Sequence, residues 1–119
     1  MTREAVKLGF IGFGNMGQAI ADGFLYTRTL EPSRMCACAV NREKLKKNTE
    51  ARGMRACRDS KEVVEQSDLV VLAVKPWMAG AVLEPLKGLF SGKVLWSVAA
   101  GVMFDDFEEM LGPGIHHIT

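Results

Sequence analysis

Apolar and polar positions along the chain follow two periods in turn, and the alternation predicts a parallel α/β sheet. Runs rich in apolar and β-branched residues predict strands at Lys7 to Gly12, Met35 to Val40, Met54 to Ala56, Asp68 to Val74, Val94 to Val98 and Ile115 to Ile118. Between them lie helix-like segments. Asn15 to about Thr27 predicts a helix whose apolar face carries Met16, Ala19, Ile20, Gly23 and Phe24, and Arg42 to Ala51 a charged surface helix stopped at Gly53. Asp59 and Ser60 are suited to cap a helix reaching about Gln66, with Glu62 in its first turn. Trp77 to Leu86 and the acidic Phe104 to Leu111 complete the set. The unbroken apolar run from Leu69 to Val74 fits a central strand covered on both faces, and Lys75-Pro76 ends it, because proline disfavours a helical residue before it.

Composition narrows the class without choosing a function. The 119 residues fit one domain, 48% hydrophobic and 24% charged, which is the balance of a globular chain. A formal net charge of +1 gives no reason to expect nucleic acid or membrane as a partner, and no apolar stretch approaches the roughly 20 residues that span a bilayer. The first strand begins too early for a signal peptide, so a cytoplasmic location is expected. Cys36, Cys38 and Cys57 lack the spacing and the neighbouring histidines of a metal site, so no metal is expected and the three are taken as reduced, buried thiols. Because the chain stops as a new strand starts, it is expected to be part of a longer polypeptide.

The chemistry begins at Gly12-Phe13-Gly14-Asn15-Met16-Gly17, a G-x-G-x-x-G between a predicted strand and a predicted helix. The first glycine allows a tight turn, the second leaves room for a pyrophosphate against the backbone, and the third lets helix and strand pack closely. The following helix aims unpaired N–H groups at the phosphates. Glycines can also serve a turn alone, but here strand, loop, helix and second strand occur in the required order. The expected fold is a Rossmann-type, doubly wound, mainly parallel sheet with helices on both faces, one dinucleotide-binding domain over residues 1–119, in which Gly12, Gly14, Asn15, Met16 and Gly17 hold the pyrophosphate.

After the second strand, a site for NAD usually presents Asp or Glu to the ribose 2′-hydroxyl, whereas this chain has Asn41-Arg42. A guanidinium there pairs with a 2′-phosphate, so NADP(H) is expected over NAD(H), by roughly 10- to 100-fold for one good charged contact. Lys44 can add to this, while Lys46 and Lys47 fit an ordinary solvated helix face. Ala73-Val74-Lys75-Pro76 and Ser97-Val98-Ala99-Ala100-Gly101 should face the same crevice, with Ala99, Ala100 and Gly101 against the cofactor, since ligands of open α/β sheets lie beyond the carboxyl ends of the strands. Lys75 is expected on the cofactor side without a proton-transfer role, Trp77 and Trp96 as packing residues, and His116 and His117 in a strand or terminal role. No catalytic acid or base stands out.

Taken together, Lys7 to Gly17, Asn41-Arg42, Ala73 to Pro76 and Ser97-Val98-Ala99-Ala100-Gly101-Val102 resemble the N-terminal part of the pyrroline-5-carboxylate reductases, nearly end to end. The resemblance implies NADPH-dependent reduction of a cyclic imine carboxylate, 1-pyrroline-5-carboxylate, to proline. It also implies a helical C-terminal domain, absent from this chain, that forms a homodimer or higher oligomer and closes the substrate pocket. Alternatives are a β-hydroxyacid dehydrogenase, which shares the glycine start and the Asn-Arg corner, a reductase that pairs a deazaflavin with NADP, and a non-catalytic NADP-binding module.

Overall fold

The computed structural model describes residues 6–98 and 116–118. Among these residues six parallel strands form one sheet: β1 (Leu8–Ile11), β2 (Met35–Cys38), β3 (Arg55–Ala56), β4 (Leu69–Leu72), β5 (Val94–Ser97) and β6 (His116–Ile118), in the spatial order β3-β2-β1-β4-β5-β6. The period of two along each strand divides the core. Leu8, Phe10, Met35, Ala37 and Val71 face one layer, where they meet Ala21 of α1 (Asn15–Tyr26) and Leu45 of α2 (Arg42–Glu50). Ile11, Cys36, Cys38, Val70, Leu72 and Leu95 face the other, where Val63 and Val64 of α3 (Ser60–Gln66) and Ala79 and Leu83 of α4 (Ala79–Leu83) cover them. The expected doubly wound sheet is thus the observed one. The strands are a residue or two shorter at their ends than the apolar runs that announce them.

Local chemistry explains most helix boundaries. Asn41 caps α2, its Oδ1 accepting from Lys44 N at 3.0 Å, and Asp59 caps α3, its Oδ1 accepting from Glu62 N at 2.9 Å. Gly53, at φ 75°, ends the α2 region in the left-handed conformation that glycine adopts without penalty.

Three expectations need correction. The inward side of α1 is carried by Gly17 and Ala21, with Ile20, Phe24 and Leu25 packed beside them, whereas Met16, Ala19 and Gly23 are exposed. The predicted face was therefore one position out of phase. Backbone contact overrides the count of apolar side chains here: a Cβ at Gly17 would lie 3.0 Å from the carbonyl oxygen of Gly12, so this residue must face the strand. The second correction concerns Trp77 to Leu86, which is a 3-10 turn (Pro76–Met78), the short α4, and a second 3-10 stretch (Glu84–Leu89). Pro85 has no N–H to continue the ladder, and Gly80 and Gly88 weaken what remains. Third, Trp77 is 78% exposed rather than packed, while Trp96 is half-buried beside the α1 layer. The predicted helix at Phe104 to Leu111 lies outside the described residues.

Arg52 ties the two helices of one layer together. Its Nε and Nη2 donate to the two carboxylate oxygens of Asp22 on α1 at 2.7 and 3.0 Å, Nη1 donates to the Asn48 carbonyl at 2.9 Å, and the guanidinium stands 5.6 Å over the Phe13 ring. No helix among the described residues is long and apolar enough to cross a membrane.

The hydrogen bonds from Arg52 hold the Asp22 carboxyl below its ordinary value, so the pair stabilises the fold above the unfolded-state pKa, about 4, and loses that contribution as Asp22 protonates at lower pH. The carboxylate side chain is 56% exposed and screened by water, so Asp22→Asn is expected to cost no more than about 1 kcal/mol at pH 7. In thermal melts across pH 2 to 8, the difference from the parent should shrink below about pH 4; a constant difference would show that the ion pair is not its source.

Candidate functional site

Four strands end level. Ile11 stands opposite Cys38 and Leu72, and Leu72 opposite Ser97, and the next residues extend the ladder: Gly12 N to Cys38 O at 3.0 Å, Ala73 N to Ile11 O at 2.9 Å and Val98 N to Leu72 O at 3.0 Å. Beyond these ends the chain leaves β1 toward α1 on one face and β4 toward the turn at Pro76 on the other. A cleft of about 530 Å³ opens at this divergence, with Gly12 to Met16 on one wall, Ala73 to Lys75 and Met78 on the other, and Ala39, Val40 and Val98 at its sides.

The three glycines are distinguished by what surrounds them. Gly12 has φ +91°, and a Cβ there would meet the Ala73 carbonyl oxygen at 2.7 Å. Gly17 fits against Gly12 O and the Phe13 ring, where a Cβ would lie 3.0 and 3.3 Å away. Gly14 has nothing within 4 Å of the position a Cβ would take, so the space over it opens into the cleft. Phe13 anchors the loop: its ring meets Phe10 edge-on at 5.4 Å, and its carbonyl accepts from Gln18 Nε2 at 3.0 Å. The first helical bond of α1 runs from Gln18 N to Gly14 O at 2.9 Å, so the N–H groups of Asn15, Met16 and Gly17 precede the ladder in the first turn. Met16 is 57% exposed at the cleft rim, on the loop side and not in the core.

At the corner after β2, Asn41 spends its side-chain oxygen on the α2 cap, which leaves its amide NH2 as the group to offer a ligand. The exposed Arg42 donates from Nη1 to the carbonyl oxygen of Arg58 at 2.7 Å. Beside this corner is a second, mostly apolar pocket of about 190 Å³. It is lined by strand-end residues Ile11, Gly12 and Cys38, by Val74, Met78 and Val82 from the segment after β4, and by Arg58, Asp59 and Ser60 from the segment after β3. Burial pushes the Cys38 thiol up, with the Ser60 hydroxyl at 3.6 Å partly opposing, and a hydrogen bond with Cys36 together with burial pushes Cys57 well above the thiol range. All three cysteines are free and buried, as expected.

Of the residues expected in the site, Gly12, Gly14, Asn15, Met16, Ala73, Val74 and Lys75 line the cleft, and Gly17 lies under it. Lys75 is exposed, and Pro76 begins the turn that follows. Lys44, Lys46 and Lys47 are exposed on α2, and His116 and His117 belong to β6. Ala99, Ala100 and Gly101 lie outside the described residues. Sequence reasoning overlooked the lining made by Arg58, Asp59 and Ser60. The rule that brought in the loops after β1, β2, β4 and β5 applies equally to the loop after β3, a strand expected at Met54 to Ala56 and found at Arg55–Ala56.

Strand order, switch point and glycine turn together define the class, a Rossmann-type domain. The chain belongs to the family described as NADP oxidoreductase, coenzyme F420-dependent, whose model matches residues 7–101. Its sequence is 37% identical over 118 residues to the pyrroline-5-carboxylate reductase of Treponema pallidum, covering 96% of this chain and 44% of that protein. It is 36% identical over 110 residues to the enzyme of the same name from Arabidopsis thaliana, covering 92% of this chain and 40% of that one. Among solved structures it is similar to a Plasmodium falciparum pyrroline carboxylate reductase with NADP bound, with TM-score 0.85 and 30% identity over 96% of this chain and 41% of the other. A Coxiella burnetii pyrroline-5-carboxylate reductase gives the same TM-score, 0.85, at 32% identity over 92% of this chain and 41% of that one. The chain therefore spans 40 to 44% of the length of these curated relatives, and the resemblance read from its motifs is met by them.

Gly12 and Gly14 should respond differently to the same substitution. Gly12→Ala combines a left-handed φ with a backbone clash and is expected to cost about 1–3 kcal/mol, whereas Gly14→Ala should melt within about 0.5 kcal/mol of the parent. Thermal denaturation of the two variants, in the absence of nucleotide, checks this; the reverse order would contradict the loop geometry.

Proposed function

We propose that this chain is the cofactor-binding part of an NADPH-dependent reductase that converts 1-pyrroline-5-carboxylate to proline. The observation that carries the reading is the empty space over Gly14, framed by Gly12 and Gly17 whose own Cβ positions are filled. A backbone cradle that any side chain would occupy fits a pyrophosphate. The NADP-bound Plasmodium neighbour, 30% identical, supports the choice of nucleotide, and the relatives named pyrroline-5-carboxylate reductase support the reaction.

In this reading Gly12, Gly14, Asn15, Met16 and Gly17 hold the pyrophosphate through backbone N–H groups and the positive end of α1. Asn41 and Arg42 take the 2′-phosphate, with Arg42 already fixed at the corner by the Arg58 carbonyl. Ala73, Val74, Lys75 and Pro76, with Ala99, Ala100 and Gly101, face the ribose and carboxamide of the nicotinamide end. The bound cofactor supplies the hydride. The chain contributes orientation: a level floor of strand ends and small side chains that allow close approach. A protonated imine is already electrophilic, and positioning alone lowers such barriers by roughly 7–11 kcal/mol in favourable intramolecular cases, so no strong acid or base is required of this domain. The free thiols fit a cytoplasmic enzyme, and a homodimeric parent would complete the substrate pocket.

Fluorescence titration of the 119-residue chain with NADPH and NADH tests the cofactor reading. Arg42→Ala is expected to weaken NADPH roughly 10- to 100-fold and leave NADH nearly unchanged; equal losses for both would reject the corner assignment. Gly14→Ala should weaken both. For the reaction, NADPH oxidation by the full-length parent should be supported by pyrroline-5-carboxylate and not by 3-hydroxyisobutyrate, while the 119-residue chain should bind NADPH yet form little proline. Proline formation by this chain at the parent's rate would overturn the division of labour.

A further inference from the structure

We propose that Arg58 is a second cation for the 2′-phosphate, forming with Arg42 a pair of guanidinium groups that selects NADP(H) over NAD(H). The proposal rests on the cofactor reading above and adds to it a residue from the loop after β3. Arg58 lines the 190 Å³ pocket together with Ala39 and Val40, which follow β2 and precede the Asn41-Arg42 corner. The two arginines are tied at that rim, because Arg42 Nη1 donates to Arg58 O at 2.7 Å.

The Arg58 backbone is fixed while its charge is loosely held. Its N–H donates to Glu62 Oε1 at 3.0 Å, so the loop is locked to the first turn of α3. Its guanidinium, by contrast, is 76% exposed, and its ion pairs among the described residues are long, 3.9 Å to Asp59 and 3.6 Å to Glu62. Ion pairs of that length and exposure contribute little and exchange readily for a better partner. A phosphate dianion is such a partner: it offers several oxygens to two planar forks and offsets the repulsion between two cations held at one rim. A ribose hydroxyl does neither. The preference for the phosphorylated nucleotide therefore comes from two loops that belong to different strands, and not from the β2 corner alone.

The test is a titration of the 119-residue chain and its Arg58→Ala, Arg58→Lys and Arg42→Ala variants with NADPH and with NADH, each variant's melting temperature being measured without nucleotide to confirm folding. Arg58→Ala is expected to weaken NADPH about tenfold and NADH less than twofold, the size of one exposed charged hydrogen bond, with Arg58→Lys recovering part of the loss. Equal weakening of both nucleotides would mean that Arg58 stacks on the adenine or supports the loop, and unchanged NADPH binding would make it a spectator; either result overturns the proposal while leaving the cofactor reading intact. A parent chain that binds neither dinucleotide, or both equally, removes the cofactor reading itself, and this proposal falls with it.

Discussion

The first turn of α1 rests directly on the end of β1, and this approach depends on two missing methyl groups. Gly12 turns under the Ala73 carbonyl, and Gly17 comes back onto the Gly12 carbonyl, each at a distance that a Cβ would violate. The helix is thereby held low over the sheet with a fixed rotation. That rotation sends Gly17 and Ala21 inward, places Met16 at the rim, and leaves the first N–H groups of the helix above the cleft. A bulkier residue at either glycine would lift or roll the helix and fill the space that Gly14 leaves open.

The rest of the domain keeps this geometry in place. The neighbouring strands β1 and β4 send their connections to opposite faces, which is what opens the cleft between them. Pairing in register from Leu8 against Leu69 to Ile11 against Leu72 keeps the two rims level. On the α1 layer, Arg52 joins both helices to the underside of the loop through Asp22, Asn48 and the Phe13 ring. In the opposite layer Gly9 allows α3 to pack tightly, since a Cβ there would lie 2.6 Å from Val63 Cγ1. This fixes the loop that carries Arg58.

Strands, glycine turn and the α3 cap were legible in the sequence because each depends on local chemistry: an apolar run, a positive φ, an Asp with a free N–H three residues on. The phase of α1 was not legible from hydrophobicity, since Met16 outranks Gly17 on any apolar scale while the backbone contact demands the glycine. The broken helix after Pro76 was marked by Gly80, Pro85 and Gly88, but its apolar spacing suggested continuity. Trp77 and Arg58 show the remaining gap. Whether an aromatic ring packs or projects, and which loop adjoins a binding corner, follow from the order of strands in space, which no local pattern encodes.

Placing β1 at the centre of the sheet has a consequence for synthesis. Leu8 acquires its β4 partner, Leu69, only 61 positions later, and the helices α1, α2 and α3 must all be translated in between. Emerging from the ribosome, the first strand has both edges unpaired until β2 and then β4 arrive, so β1 cannot be paired on both sides co-translationally before about residue 72 has left the exit tunnel. A nascent chain stalled short of that point would expose Phe10 and Ile11, which in the finished domain are buried on opposite faces.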